Sequence, residues 1–333
     1  MKFGLTLPNS GVNFGATTAQ QLVEMAEIAD RSQLFQSVWV GDSLLAKPRM
    51  ESLVLLAAIA ARVERVRLGT ACMASLTIRD PILLAYQWAS LDLLARGRTI
   101  LIACTGINPT GQVENAMYGV QPRDRVKRMI EWIQILKLLW TQDEASFAGE
   151  YYRFSGITIA PKPLAKPHPP VWIANDPTGD RERIARTHWR VVLHADGWQT
   201  GLPAPYDLAW RLEDIRQQAR EIGRDPGEIE TSNYHNININ EDRDAALAES
   251  KRFLDTYYSA DFAMDYVDAW TATGSPEQCI EHLLEYERLG FDEVTLRPTS
   301  WDQIGQLQRM MEEVLPHLAE RDGRRARSSA PPS

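Results

Sequence analysis

Lys2-Phe3-Gly4-Leu5-Thr6-Leu7-Pro8-Asn9-Ser10-Gly11 is the stretch on which the fold turns. Its first six residues read as a β-strand, and the turn after them separates two architectures. A doubly wound open sheet places Gly-x-Gly-x-x-Gly after its first strand, because the tight turn and the approach of a dinucleotide to backbone both need glycine. Pro8-Asn9-Ser10-Gly11 supplies no such turn. A closed (β/α)8 barrel has no such requirement and carries its chemistry on the polar residues that end each strand.

Outward from that stretch, short β-branched runs alternate with amphipathic segments, the pattern of repeated βα units. Strands are predicted at 2–7, 37–41, 66–71, 99–104, 171–174, 190–194, 229–239 and 293–296. The first helix is capped by Thr17 or Thr18 and places Leu22, Met25, Ala26 and Ala29 on one face. Further helices are predicted at 51–63, 81–94, 206–222, 244–258, 277–288 and 303–318. The clearest helix is 123–140, where Val126, Met129, Ile130, Ile133, Leu136 and Trp140 recur at helical spacing. The segment 147–170 carries Pro161, Pro163, Pro167, Pro169 and Pro170, which predicts a stiff excursion that is neither strand nor helix. The count of strands and helices predicts an α/β (β/α)8 barrel in one domain over 1–320 with an insertion before strand five. A disordered tail is expected over 321–333, where a basic cluster runs into Ser-Ser-Ala-Pro-Pro-Ser.

Of the 333 residues 44% are hydrophobic and 24% charged, values ordinary for a soluble protein. No apolar run approaches the roughly 20 residues of a membrane span, and the first residues lack the features of a signal peptide. A cytoplasmic protein with no membrane partner is the expectation. The net charge of −8 argues against nucleic acid, whose binding needs clustered Lys and Arg. Cys72, Cys104 and Cys279 are odd in number and widely spaced, so neither a disulfide framework nor a zinc site is expected.

The residues closing the predicted strands are few in catalytic pairs, with no His-x-x-x-His, Cys-x-x-Cys or Gly-x-Ser-x-Gly. Such a rim suggests that a bound cofactor performs the difficult step. His194, ending the sixth predicted strand, is the best general-base candidate, with Asp42 and Ser43 beside the second strand. Ser10, Leu44, Asn108, Trp198 and Arg297 are assigned to substrate, Trp198 as the wall of an apolar cavity. Asn175-Asp176-Pro177-Thr178-Gly179 leads into a helix, and its free N–H groups suit a phosphate. The alternative is that Asp176 or Thr178 merely caps that helix. His235, inside strand seven, faces either the site or the helix layer.

Val38-Trp39-Val40-Gly41-Asp42-Ser43, 66–71 with Arg79-Asp80-Pro81, and 91–98 each resemble segments of the bacterial-luciferase-like flavin oxidoreductases. So do Gly149-Glu150-Tyr151-Tyr152, Pro161-Lys162-Pro163, 169–174, Asp196-Gly197-Trp198, Gly274-Ser275-Pro276-Glu277 and 289–294. The resemblance spans 1 to about 318 in the expected order. It implies a barrel that binds flavin mononucleotide (FMN), or in other branches an 8-hydroxy-5-deazaflavin, at its carboxyl rim. Many members are monooxygenases fed with reduced flavin by a separate NAD(P)H flavin reductase, and a homodimer is expected by analogy. It also implies a non-prolyl cis peptide at Ala71–Cys72 or its neighbour. Asn9, Ala71, Cys72, Met73, Cys104, Thr105, Asn175, Thr178 and Gly179 are then the cofactor residues. Three departures stand out. Ser43 and Leu44 replace a histidine, Thr105 replaces a phosphate-binding arginine, and Asn175–Gly179 replaces a Gly-and-Ser pair. The missing histidine leaves a non-catalytic flavin-binding protein as a further alternative to a small-molecule monooxygenase or a deazaflavin hydride-transfer enzyme.

Overall fold

A computed structural model describes residues 1–106, 109–204 and 206–318. Strand β1 (Lys2–Leu7) is followed by helix α1 (Ala19–Ser32), where Thr18 and Gln21 form a capping box and Leu22, Met25, Ala26 and Ala29 are buried. β2 (Ser37–Asp42), α2 (Ser52–Ala60), β3 (Arg67–Met73), α3 (Pro81–Leu94) and β4 (Thr99–Ala103) continue the alternation. Pro81 opens α3, where its missing N–H costs nothing. Next come α4 (Pro109–Met117), α5 (Arg125–Thr141), β5 (Ala145–Ala148), β6 (Arg153–Ile157), β7 (Val171–Ala174), α6 (Arg181–His194), β8 (Gly197–Thr200) and α7 (Leu208–Glu221). β9 (Glu230–Ile239), α8 (Arg243–Tyr258), α9 (Met264–Ala269), β10 (Thr271–Gly274), α10 (Pro276–Leu289), β11 (Glu293–Pro298) and α11 (Gln303–Arg309) complete the order.

β1, β2, β3, β4, β7, β8, β9 and β11 pair in parallel, and β11 returns to β1, closing an eight-stranded (β/α)8 barrel. β10 is a ninth strand, paired with Asn236–Ile239 beyond the stretch of β9 that β8 covers.

Three expectations need correction. Residues 190–194 are helix, not strand: Ile184, His188, Val191 and Val192 are buried at helical spacing, so Val191-Val192 belongs to an amphipathic face. The sixth barrel strand is β8 instead. The excursion after α5 contains the antiparallel hairpin β5–β6, held down by Glu131, which accepts the N–H groups of Glu150, Tyr151 and Tyr152 at 2.9, 3.0 and 2.7 Å. β10 has no counterpart among the expected strands, since its four residues carry too little pattern.

The lower barrel is filled by side chains. Trp39, Ile100, Ile102 and Trp172 form a fully buried cluster, the two indoles 5.7 Å apart. Glycine on the neighbouring strands makes the room: a Cβ on Gly69 would meet the Trp39 ring and the Ile100 carbonyl, and one on Gly197 the Trp172 ring. Arg67 sits beside them, paired with Glu230 at 2.9 Å and with the fully buried Glu293 at 3.1 Å.

Candidate active site

At the carboxyl ends of β3 and β4 the peptide Ala71–Cys72 is cis, at the bond expected from the sequence. Cys72 is disulfide-bonded to Cys104, with Cα atoms 6.0 Å apart. This corrects the expectation for the cysteines. A separation of 32 residues hides the pair in the sequence, but parallel pairing of β3 with β4 sets their ends side by side. Ala71, Cys72 and Ala174 are half-buried and pack on the Trp39–Trp172 cluster, giving the mouth an uncharged wall. Gln199 lies on the inward face of β8, two positions above Gly197, and its buried Nε2 has no protein partner. A flat wall with a free amide donor beside it suits a planar redox ring with carbonyl acceptors.

Several assigned residues turn out to hold the mouth together. Asn9 spends its whole hydrogen-bonding capacity on the protein: Nδ2 donates to Gly41 O (2.8 Å) and Met50 O (3.1 Å), and Oδ1 accepts from Gly41 N and the Tyr257 hydroxyl. Ser10 donates to Pro48 O at 2.9 Å. Asp42 accepts from Ser52, from the N–H and hydroxyl of Ser75, and from Arg79, so it is not a free base. Ser43 donates to Glu114, whose carboxylate also accepts the N–H groups of Leu44 (3.0 Å) and Ala46 (2.7 Å). Glu114 is buried on α4 and escapes a reading of the sequence, where nothing at its position marks a loop anchor.

His194 is not at the mouth. It ends α6 ahead of β8 and therefore lies at the amino-terminal face of the barrel, where burial and the nearby Lys137 push its pKa down. Trp198 is fully buried against His188 of α6 and Phe291, in the layer between strands and helices. It lines no cavity, though its Nε1 donates to Asn175 at 3.2 Å. His235 also faces that layer, its Nε2 2.9 Å from that of His282. Asn108 lies outside the described residues, as do 319–333. Thr105 is half-buried at the rim, Met73 is fully buried beneath it, and Leu44 is half-buried in the loop after β2.

At the turn after β7, Thr178 and Gly179 are exposed, and Gly179 takes a φ of +114°. Asp180, neither Asp176 nor Thr178, caps α6 by accepting from Arg183 N at 2.8 Å. An anion at this terminus shares it with that carboxylate. Asp176 itself points to β8, accepting from Thr200 (2.6 Å) and Gly201 N (2.9 Å). Burial raises its pKa, outweighing those two hydrogen bonds and the charge of Arg211.

The side of the mouth made by β9, β11, α8 and the loop after β2 is of another kind. Arg297, fully buried at the end of β11, donates to Asn236 Oδ1 at 3.1 and 2.8 Å and to the Tyr258 hydroxyl at 3.0 Å. Lys47 stands 4.5 Å above the Tyr258 ring, and Arg49 stands 5.4 Å from the Tyr257 ring. Burial lowers the pKa of Lys47, and repulsion from Arg49 and Arg297 adds to it against Tyr258. Burial alone would raise the phenol of Tyr258, yet Arg297 and Lys47 bring it below its ordinary value. Among the described residues no cluster of three or more His, Cys, Asp or Glu could hold a metal, and no helix is long and apolar enough to cross a membrane.

The family described as luciferase-like monooxygenase matches residues 1–293. An F420-dependent glucose-6-phosphate dehydrogenase of Kineococcus radiotolerans is 24% identical over 326 residues, covering 90% of this chain and 93% of that protein. The oxygenase component of a flavin-dependent trigonelline monooxygenase from Acinetobacter baylyi is 25% identical, covering 96% of each chain. The crystal structure of the monooxygenase RslO1 from Streptomyces bottropensis superimposes with a TM-score of 0.79 at 20% identity, over 96% of this chain and all of that one.

Proposed function

The chain belongs to the luciferase-like monooxygenase family, a family of oxidoreductase enzymes, and on that premise we propose that it is a flavin-dependent monooxygenase taking reduced FMN from a separate NAD(P)H flavin reductase. One observation carries this: among the described residues the mouth holds no histidine, and Asp42 and Ser43, assigned as catalytic from the sequence, are consumed in structural hydrogen bonds. A site so poor in free bases leaves the reaction to its cofactor, and reduced flavin supplies the oxygen chemistry. The chain's part is to seat the ring on Ala71, Cys72 and Ala174, offer Gln199 as donor, and exclude water. Cys104 and Thr105 complete that wall, with Met73 buried behind it, and Asn175, Thr178 and Gly179 are the residues proposed for the phosphate end. The word "component" in the Acinetobacter relative's name supports a separate reductase.

A second reading is hydride transfer with a deazaflavin. It is favoured by Asp176, a rim carboxyl inclined to hold its proton, and by the name of the Kineococcus relative. The two separate in an anaerobic titration with reduced FMN and reduced deazaflavin, followed by oxygen. The first reading requires oxygen uptake coupled to substrate oxidation with FMN alone. Uptake with neither cofactor, and turnover of an alcohol with the deazaflavin, would replace it by the second. A homodimer in the cytoplasm, built from one domain over 1–320, belongs to the same proposal, and light scattering of the purified chain tests the dimer.

A further inference from the structure

We propose that Lys47, Arg49 and Arg297 form a subsite for an anionic group of the substrate, a carboxylate or phosphate monoester, set against the Tyr257 and Tyr258 phenols. The proposal deepens the function given above and rests on it for the word substrate. Three observations converge. The three cations share two adjacent tyrosines: Arg297 lies 4.3 Å from the Tyr257 ring and 5.0 Å from that of Tyr258, Lys47 stands over Tyr258, and Arg49 Nη1 reaches the Tyr257 hydroxyl at 3.3 Å. Among the described residues, no carboxylate pairs with any of them, and Arg297 donates only to neutral oxygens. Elsewhere in the same barrel Arg67 and Arg79 each pair with two carboxylates.

A guanidinium taken out of water with no counter-charge is costly, and aromatic faces offset only part of that cost. Three cations gathered on two neighbouring rings, with Arg49 and Arg297 both repelling Lys47, are therefore suited to a partner that arrives with negative charge. Their position says which partner. In the ring order β1-β2-β3-β4-β7-β8-β9-β11, the strand of Arg297 lies four places from β4, and β9 lies four places from β3. Arg297 thus stands across the mouth from the Cys72–Cys104 wall, and Lys47 and Arg49, on the loop after β2, join it there through Tyr258 and Tyr257 of α8. A ring on that wall leaves the opposite side for the molecule it reacts with.

Isothermal titration of the chain without cofactor tests this, using phenyl phosphate, benzoate and neutral benzamide as probes. Both anions should bind at least tenfold more tightly than benzamide, and K47M and R49Q should each weaken them about tenfold. Both residues are half-exposed loop positions, so circular dichroism should report intact folds; Arg297 is left in place because of its burial. Titration with FMN and with deazaflavin should change less than twofold in the variants. Equal binding of benzamide, or no loss in K47M and R49Q, overturns the proposal. A parallel loss of cofactor affinity also overturns it, assigning the cations to the cofactor phosphate and leaving the proposed function standing. Anion binding as described, with no affinity for either cofactor, upholds the subsite and refutes the oxidoreductase reading of it.

Discussion

The two sides of the barrel mouth are built on different physics. The β3–β4 side is uncharged, stands on strands, and rests on two indoles and a cross-link between neighbouring strands. The β9–β11 side carries three cations and a group of phenols, and two of those cations sit on a loop pinned by hydrogen bonds. The first is fixed by packing, which resists any change of volume. The second is fixed by polar contacts, each of modest net worth. The contrast teaches that one side is shaped and the other charged, and each fails in its own way.

The largest expected effect is on the shaped side. Trp39→Ala empties the interior beneath the wall and should destabilise the fold by about 3–5 kcal/mol, read from denaturant unfolding. A loss under about 1 kcal/mol would mean that the wall does not depend on its indole floor. Replacing Cys72 and Cys104 together by alanine opens a closure spanning 32 residues and should cost about 2–4 kcal/mol by the same measurement. Anion titration should stay unchanged in that variant; if it weakens, the two sides are coupled. On the charged side, Glu114→Ala frees the loop of Lys47 and Arg49 and should cost roughly 1–3 kcal/mol. There the larger signal is functional, because anionic probes should bind more weakly while FMN affinity holds. The smallest effect is Asp176→Asn, and it appears as a slope. The folded chain holds the Asp176 proton to higher pH than the unfolded chain does. Its contribution to stability is therefore present below the ordinary aspartate value and lost as pH rises toward the raised folded value. Asparagine keeps the acceptor for Thr200 and Gly201, so the variant should show a flatter decline of melting temperature as pH rises above the ordinary aspartate value of about 4.

The barrel was legible because its strands and helices carry strong local periodicity and no dinucleotide turn follows β1. The mistaken strand at 190–194 shows the limit of that signal: Val191, Val192 and Leu193 have strand propensity, but burial of Ile184, His188, Val191 and Val192 follows a helical period that only a longer window exposes. Position at a strand end was legible, as for Ala71 and Cys72 at the end of β3 and Arg297 at the end of β11. The site was not legible where long-range pairing decides. Asn9, Asp42 and Ser43 look free in a sequence and are occupied by partners up to 248 residues away. The Cys72–Cys104 bond and the meeting of Lys47 with Tyr258 are likewise products of closure, invisible to spacing.

The glycines that admit Trp39 and Trp172 have a consequence for traffic. With the lower barrel plugged by indoles and, beside them, by the Arg67–Glu230–Glu293 ion cluster, the described residues leave no back exit. Whatever enters must leave through the same doorway, so two molecules lodged there depart in the reverse of their order of arrival, and the outer one sets the waiting time of the inner.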